Sequence, residues 1–443
     1  MFADQWLFLV GGWIATVIVV ASSPDQHSHE KTKDPRQLHV DQTHSQPSMR
    51  RLLDNLASTA LESDAYDHLV AISMTANGDP NPRLTCTENF KYAADYVYTI
   101  MSQLGMTPMG NTERTSFHYV VENSVDPEFC PHGIINTIGM IPGTLYPDEY
   151  VIYNAHLDGV RNNNPQTFLT RGMQDITNTY DDGLAVAVGL ATAKQFNEAP
   201  PERSVIIMID DAEENVQNVG EIPLGRTQEE NCEFIRNSKW FNQVFDSVVN
   251  IPWRRGCDLG LMGASAWVKK PTIPLEQIKL VLAIDPLGSP FTNTTGILTA
   301  IGGEFTTYNQ TGTLNNWLQE NWPDDTAVRL AKVPRAGVPV LFSNQDAFGA
   351  QYRFFCGNSC VENGGVPSVW LAEASFQKYH SGQGAIVTKD LFGGLLGTNG
   401  TFPSPIYFSL DNMESFYRPG LADMATVLFE ITRSAATGMV RYT

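Results

Sequence analysis

The sequence predicts an α/β fold: a mixed, mainly parallel sheet covered by helices on both faces. Three observations lead to it. Apolar runs of strand length recur at Ile134 to Ile141, Tyr150 to Asn154, Ser204 to Ile209 and Ile278 to Ile284, and runs without polar alternation mark strands buried on both faces. Helical patterns lie between them, clearest in the Ala/Val-rich stretch Leu184 to Phe196, and such alternation builds a sheet between helix layers. Polar and charged residues then gather just past the ends of the runs, at His156, Asp210 to Glu214 and Asp285. Open α/β sheets hold their ligands at the carboxyl ends of the strands.

Each element can be justified in chain order. Trp6 to Ala21 is an apolar run of 16 residues, short of the roughly 20 that a membrane span needs. Val19 and Ala21 put small residues where a signal peptidase cuts. Residues 1–21 are therefore expected to be a cleaved signal peptide. The alternative is an uncleaved anchor, because no Lys or Arg precedes the run; membrane association follows only from that alternative. Residues 22–50 are polar and carry His27, His29, His39 and His44, which suits a disordered linker or pro-segment. Residues 51–443 are expected to form a single domain.

Within it, residues 51 to 75 show a broken apolar face at helical spacing, and Asn89 to Leu104 repeats more cleanly, with Gly105 placed to cap it. The strand Ile134 to Ile141 ends at the turn Pro142-Gly143-Thr144. Residues 215–260 break the alternation with polar and aromatic residues and are expected to be an insertion looping over the strand ends. Ser368 to Leu371 reads as a shorter strand, and Leu421 to Gly438 as a closing helix.

Composition narrows the function classes. A chain of 443 residues with 42% apolar content buries a large core, and a net charge of -19 excludes nucleic acid as a partner, since nothing neutralises phosphates. The six cysteines lack Cys-x-x-Cys spacing, so disulfides are expected, with export as the consequence. Cys232 and Cys257 are placed to staple the insertion, and Cys356 and Cys360 to form a local clamp. Asn293, Asn309 and Asn399 each open an Asn-x-Thr sequon, which fits a secreted glycoprotein.

His156, Asp158, Asp181, Glu213, Glu214, Asp285 and His380 offer the nitrogen and oxygen donors that zinc accepts. Two imidazoles and three carboxylates suffice for two ions if one carboxylate bridges, and manganese or cobalt fits the same donors. Water between the ions loses a proton near neutral pH, and a further carboxylate must take that proton. Glu213-Glu214 supplies one residue for each task, because adjacent residues leaving a strand point apart. Each motif alone has a plainer reading: Asp181-Asp182 can cap the helix that follows, and His-x-Asp is usually solvated. Asp285 is harder to dismiss, because a carboxylate ending an apolar strand needs a partner. His68, His118 and His132 fall outside the pattern and are expected to be structural or surface residues.

The ordered set His156-Leu157-Asp158, Asp181-Asp182-Gly183, Glu213-Glu214, Asp285 and Tyr379-His380 resembles the co-catalytic di-zinc aminopeptidases of the bacterial leucyl aminopeptidase type, a family shared with glutaminyl cyclases. The strand and turn NTIGMIPGT and the Cys356 to Cys360 pair resemble the family too. The resemblance covers about Leu52 to the C-terminus and implies one zinc-peptidase domain. It implies a secreted exopeptidase that hydrolyses the first bond of peptide or protein N-termini with a metal-bound hydroxide. Asp181 would bridge two zinc ions, His156 and Asp285 would complete one site, and Glu214 and His380 the other. Glu213 would be the general base, Asp158 would orient His156, and the Asp181-Asp182 peptide would be cis.

Three features depart from the family. The segment similar to its Gly-Leu-x-Gly-Ser, Gly260 to Ser265, arrives only after the insertion; Ser343 to Phe348 reads SNQDAF; and no Asp follows the final His. Two alternatives share the fold. A glutaminyl cyclase usually carries Trp before the final His, where this chain has Tyr379. A non-catalytic ectodomain tends to lose ligands, and the whole set is present here.

Overall fold

The computed structural model describes residues 6–10, 13–17, 46–121, 130–159, 177–214, 262–287, 297–301, 314–323, 328–333, 366–373, 413, 416 and 418–437. Two short strands near the N-terminus, β1 (Trp6–Val10) and β2 (Trp13–Val17), pair antiparallel with each other. Helix α1 (Gln46–Ser73) begins five residues before the position 51 at which the sequence pattern started it. Helix α2 (Glu88–Gln103) opens on Thr87, whose Oγ1 accepts the Phe90 amide at 3.2 Å. It closes before Gly105, whose φ of +67° is the left-handed conformation that glycine supplies there.

A nine-stranded sheet follows. Its members are β3 (Thr107–Pro108), β4 (His118–Val121), β5 (Ile134–Ile141), β6 (Tyr146–His156), β7 (Arg203–Asp210), β8 (Ile278–Ile284), β9 (Ile297–Ile301), β10 (Arg329–Val333) and β11 (Ser368–Glu373). The order is β10-β9-β11-β8-β6-β7-β5-β3, with β4 also on β5. Strands β11, β8, β6 and β7 run parallel to one another, as do β10 and β9. The joins β11–β9, β7–β5, β5–β3 and β5–β4 are antiparallel. The expected mixed sheet is present, with its parallel character concentrated in the centre. The strand bounds of Ile134–Ile141 and Ile278–Ile284 agree with the sequence reading.

Helices α3 (Leu184–Glu198), α4 (Met262–Lys269), α5 (Leu314–Glu320) and α6 (Leu421–Ala436) complete the layers. One face of the sheet presents Val151, Tyr153, Val205, Ile207, Leu280 and Leu282 to residues of α1, α2, α3 and α6. The opposite face packs Ile152, Ile206, Met208 and Val281 against α4. Burying one aliphatic side chain stabilises by roughly 1.5–3 kcal/mol, so these layers hold the fold and leave the strand ends to carry charge. Helix α3 comes close to the sheet because it is made of small residues. A Cβ at Gly189 would meet the Tyr153 ring at 2.7 Å, and the Tyr153 hydroxyl donates to the Ala185 carbonyl at 2.8 Å. That contact fixes the start of α3, and with it the turn that carries Asp181. No described helix is long and apolar enough to cross a membrane.

The insertion at 215–260, the sequons, Cys232, Cys257, Cys356, Cys360 and His380 lie outside the described residues. Cys86 and Cys130 form a disulfide. His68 meets the Tyr96 hydroxyl at 2.8 Å, His132 meets Glu88 at 2.7 Å, and His118 is half-buried in β4.

Candidate metal centre

Three neighbouring parallel strands deliver the candidate residues to one edge. Strand β6 ends at His156, which pairs in register with Asp210 at the end of β7. Strand β8 ends one residue before Asp285, whose amide donates to the Leu371 carbonyl of β11 at 3.0 Å. After β7 the chain turns at Ala212, a non-glycine residue with φ of +55°, and Glu213 and Glu214 follow. Asp181 arrives from the other side, in the turn Thr179–Gly183 that opens α3. Asp181 and Asp182 have non-helical backbone angles, and neither caps the helix. Their peptide bond is cis, as the resemblance implied, and so is Asp285-Pro286.

The side chains converge. His156 Nε2 lies 3.1 Å from Asp181 Oδ1 and 3.5 Å from Asp285 Oδ1. Ligand atoms of His156, Glu213 and Asp285 fall within 4.8 Å of one another, and so do those of His156, Asp181 and Glu214. All of these residues are buried. Four of the five expected ligands thus share one pocket; the fifth, His380, is among the residues not described.

The hydrogen bonding of His156 tests whether a cation fits. Its Nδ1 lies 3.0 Å from the Asp158 backbone carbonyl, which can only accept, so Nδ1 carries the proton. Nε2 faces two carboxylates, so a positive charge belongs between them: a proton on the ring when no metal is bound, or a cation held by the Nε2 lone pair of the neutral ring. Burial alone would lower the imidazole pKa, but Asp158, Asp181 and Asp285 outweigh it and raise it well above the usual value. Glu214 makes the same case, since its Oε1 is buried with no hydrogen-bond partner among the described residues. Burial first, and neighbouring carboxylates second, push the Glu213 and Glu214 carboxyls well up. A cluster of desolvated acids around a lone-pair nitrogen is a site that a divalent cation satisfies.

Asp158 differs from expectation in how it acts. Its carboxylate stands 3.6 Å from His156 Nδ1, and it is the backbone carbonyl that receives the ring proton. The carboxylate instead accepts the Glu213 amide through Oδ1 and the Glu214 amide through Oδ2, each at 3.0 Å. It therefore pins the Glu-Glu pair as well as neighbouring the imidazole.

Residues that sequence reasoning did not single out support the same edge. Asp211 accepts the Thr85 hydroxyl and the Ile135 amide, both at 2.9 Å, and its own amide donates to Asn136 at 3.1 Å. Gly263 donates to the Asp211 carbonyl and Met262 to that of Ala212. A Cβ at Gly263 would stand 2.3 Å from the Asp211 carbonyl oxygen, so only glycine allows this approach. Met262 and Gly263, from the segment displaced in sequence by the insertion, thus brace the turn that leads to Glu213 and Glu214.

The sequence model for Peptidase family M28 matches residues 136–352. That segment is a peptidase family M28 domain. It contains every candidate site residue except His380. No curated protein matches the chain. Among solved structures, the chain is similar to the Legionella pneumophila LapA aminopeptidase, at 12% identity over 93% of this chain and 79% of that one, with a TM-score of 0.49. It is also similar to a Zn-dependent exopeptidase from Parabacteroides distasonis, at 14% identity over 85% and 97%, with a TM-score of 0.45. A glutaminyl cyclase from Bacteroides thetaiotaomicron matches at 11% identity over 85% and 97%, with a TM-score of 0.46.

Proposed function

We propose that the protein is a secreted, zinc-dependent aminopeptidase that removes the first residue from peptide or protein N-termini. The observation that carries this reading is the convergence of His156, Asp181, Glu214 and Asp285 at one edge of an M28 domain, with Glu213 beside them. In this reading Asp181, His156 and Asp285, together with Glu214 and His380, would hold the two zinc ions, Asp181 serving both. Zinc bound there would polarise the scissile carbonyl and make a water molecule nucleophilic near neutral pH.

The protein's own groups do the rest. Glu213 accepts the proton that the attacking water releases and passes it to the departing amine as the carbon–nitrogen bond breaks. Burial, with the neighbouring carboxylates, raises the Glu213 carboxyl, the direction that suits a group which must both accept and donate a proton. Asp158 keeps that carboxylate placed by gripping its amide. The buried acids also favour a substrate that enters with a positively charged α-amino group. Secretion is supported by the Cys86–Cys130 disulfide, a bond that persists in oxidising compartments.

The competing reading is a glutaminyl cyclase, which uses the same site motifs for intramolecular transfer. Incubation with a peptide beginning in glutamine and another beginning in leucine, followed by mass analysis, separates the two. Hydrolysis releases the first residue from the leucine peptide and stops on adding a chelator. Loss of ammonia from an otherwise intact glutamine peptide, with the leucine peptide untouched, would establish the cyclase instead.

A further inference from the structure

Arg83 lies in a turn-rich stretch, DPNPRLTCTEN, to which no helical or strand pattern assigns a role. It is fully buried, and its backbone is left-handed, with φ of +49°. A bulky residue keeps that conformation only where its surroundings enforce it. The enforcing contacts are specific. Arg83 Nε donates to the Leu157 carbonyl at 2.8 Å, Nη1 to the Thr177 carbonyl at 2.5 Å and Nη2 to the Asn178 carbonyl at 2.7 Å. Leu157 separates His156 from Asp158, and Asn178 precedes Asp181 by one short turn. One planar group therefore joins the loop that follows the candidate histidine to the loop that brings in the candidate bridging carboxylate.

The backbone beside it repeats the link. The Gly159 amide donates to the Arg83 carbonyl at 3.2 Å, and Asn178 Nδ2 donates to the Pro82 carbonyl at 3.0 Å. The segment is itself anchored. The Asn81 amide donates to the Ser73 carbonyl at 2.8 Å and its Nδ2 to the Ile72 carbonyl at 3.1 Å, Thr85 donates to Asp211, and Cys86 is cross-linked to Cys130.

We propose that Arg83 is a positioning residue for the metal centre: its guanidinium spans the 157 and 177–178 loops and sets the spacing of His156 and Asp181. The inference rests on the reading that these two residues hold zinc. A guanidinium suits the task because its donors are fixed in one plane and cannot lose their charge. Lysine keeps the charge but concentrates its donors at one point, so it cannot hold three carbonyls in this layout. Residues that orient metal ligands typically contribute 10–100-fold in metal affinity.

The test measures zinc dissociation from the full chain by competition with a chelator, using zinc alone as the probe. The unfolding midpoint of each zinc-free protein is recorded alongside. Arg83→Lys is expected to bind zinc 10–100-fold more weakly than the parent. Phe196→Leu, in the core of α3, controls for lost stability and should keep parental affinity. If Arg83→Lys fails to fold, Asn178→Gly decides, because it removes the side-chain tie to Pro82 while tolerating the left-handed backbone (φ of +46°). Weaker zinc binding by that variant supports the proposal, and parental binding overturns it. Arg83→Lys with parental affinity overturns the proposal and leaves the metal centre standing. A parent chain that binds no zinc overturns both.

Discussion

Replacing Asp158 with asparagine isolates the task the structure gives it. The carboxylate accepts two buried backbone amides, those of Glu213 and Glu214, at 3.0 Å each. An asparagine of nearly the same shape offers one accepting oxygen, and its NH2 group faces the second amide. A hydrogen bond to a charged group contributes about 1.5–3 kcal/mol, and a buried donor left unpaired costs about 1–3 kcal/mol. The local cost is thus roughly 2–4 kcal/mol. An opposing effect comes from charge. Burial is the first cause of the raised carboxyls at Asp210, Asp211, Glu213 and Glu214, and the Asp158 charge adds to it in all four. Removing that charge relieves repulsion, so Asp158→Asn should leave the unfolding midpoint nearly unchanged. Turnover should not survive so well. Freeing the Glu-Glu turn displaces the proton acceptor, and a misplacement of about 1 Å costs on the order of 100-fold in rate. Steady-state kinetics on an aminoacyl-arylamide at saturating zinc, paired with thermal unfolding, gives both numbers. Turnover within threefold of the parent would refute the assignment.

Other perturbations address separate parts of the account. Glu213→Gln should keep its zinc while losing 10²–10⁴-fold in turnover, measured by metal analysis beside kinetics; loss of metal would mean that Glu213 is a ligand. Glu214→Gln should weaken zinc binding instead, and added zinc should recover part of its activity. Replacing Cys86 and Cys130 by serine opens a 44-residue loop, which by chain entropy lowers stability by about 4 kcal/mol; an unchanged urea midpoint would contradict this. Stability should also fall as pH drops below about 6.5, because burial lowers the pKa of His68 and His118 in the fold. The unfolded chain then takes up protons that the folded chain refuses, and stability is lost as the pH falls through that window. Urea unfolding at pH 7 and pH 5 should show a smaller drop when both histidines are glutamine.

Much of the centre of the fold was legible because strands buried on both faces carry few polar residues and no polar alternation. Ile134–Ile141 and Ile278–Ile284 could be bounded from their apolar runs alone. The site was legible for the complementary reason: a charge at the end of such a run must be used or neutralised. Strand direction was not, since an apolar run carries no record of whether β5 lies parallel or antiparallel to β7. Strand β4 was missed because four residues of an edge strand, with Val120 exposed, leave too short a pattern. Helix α1 starts earlier than expected because its first residues are polar and show no apolar face. The second task of Asp158 and the whole of the Arg83 bridge escaped notice because their partners are backbone groups, which every residue carries alike.

The central claim is that this cluster of buried acids and one imidazole is a zinc centre that drives hydrolysis at peptide N-termini. The direct measurement strips the purified chain with a chelator, returns zinc in known equivalents, and follows hydrolysis of a leucyl-arylamide against its N-acetylated counterpart. The account predicts no activity in the stripped protein, activity rising to a plateau at two equivalents of zinc, and no hydrolysis of the acetylated substrate. Hydrolysis that persists without zinc, or that ignores the blocked amino group, would contradict it.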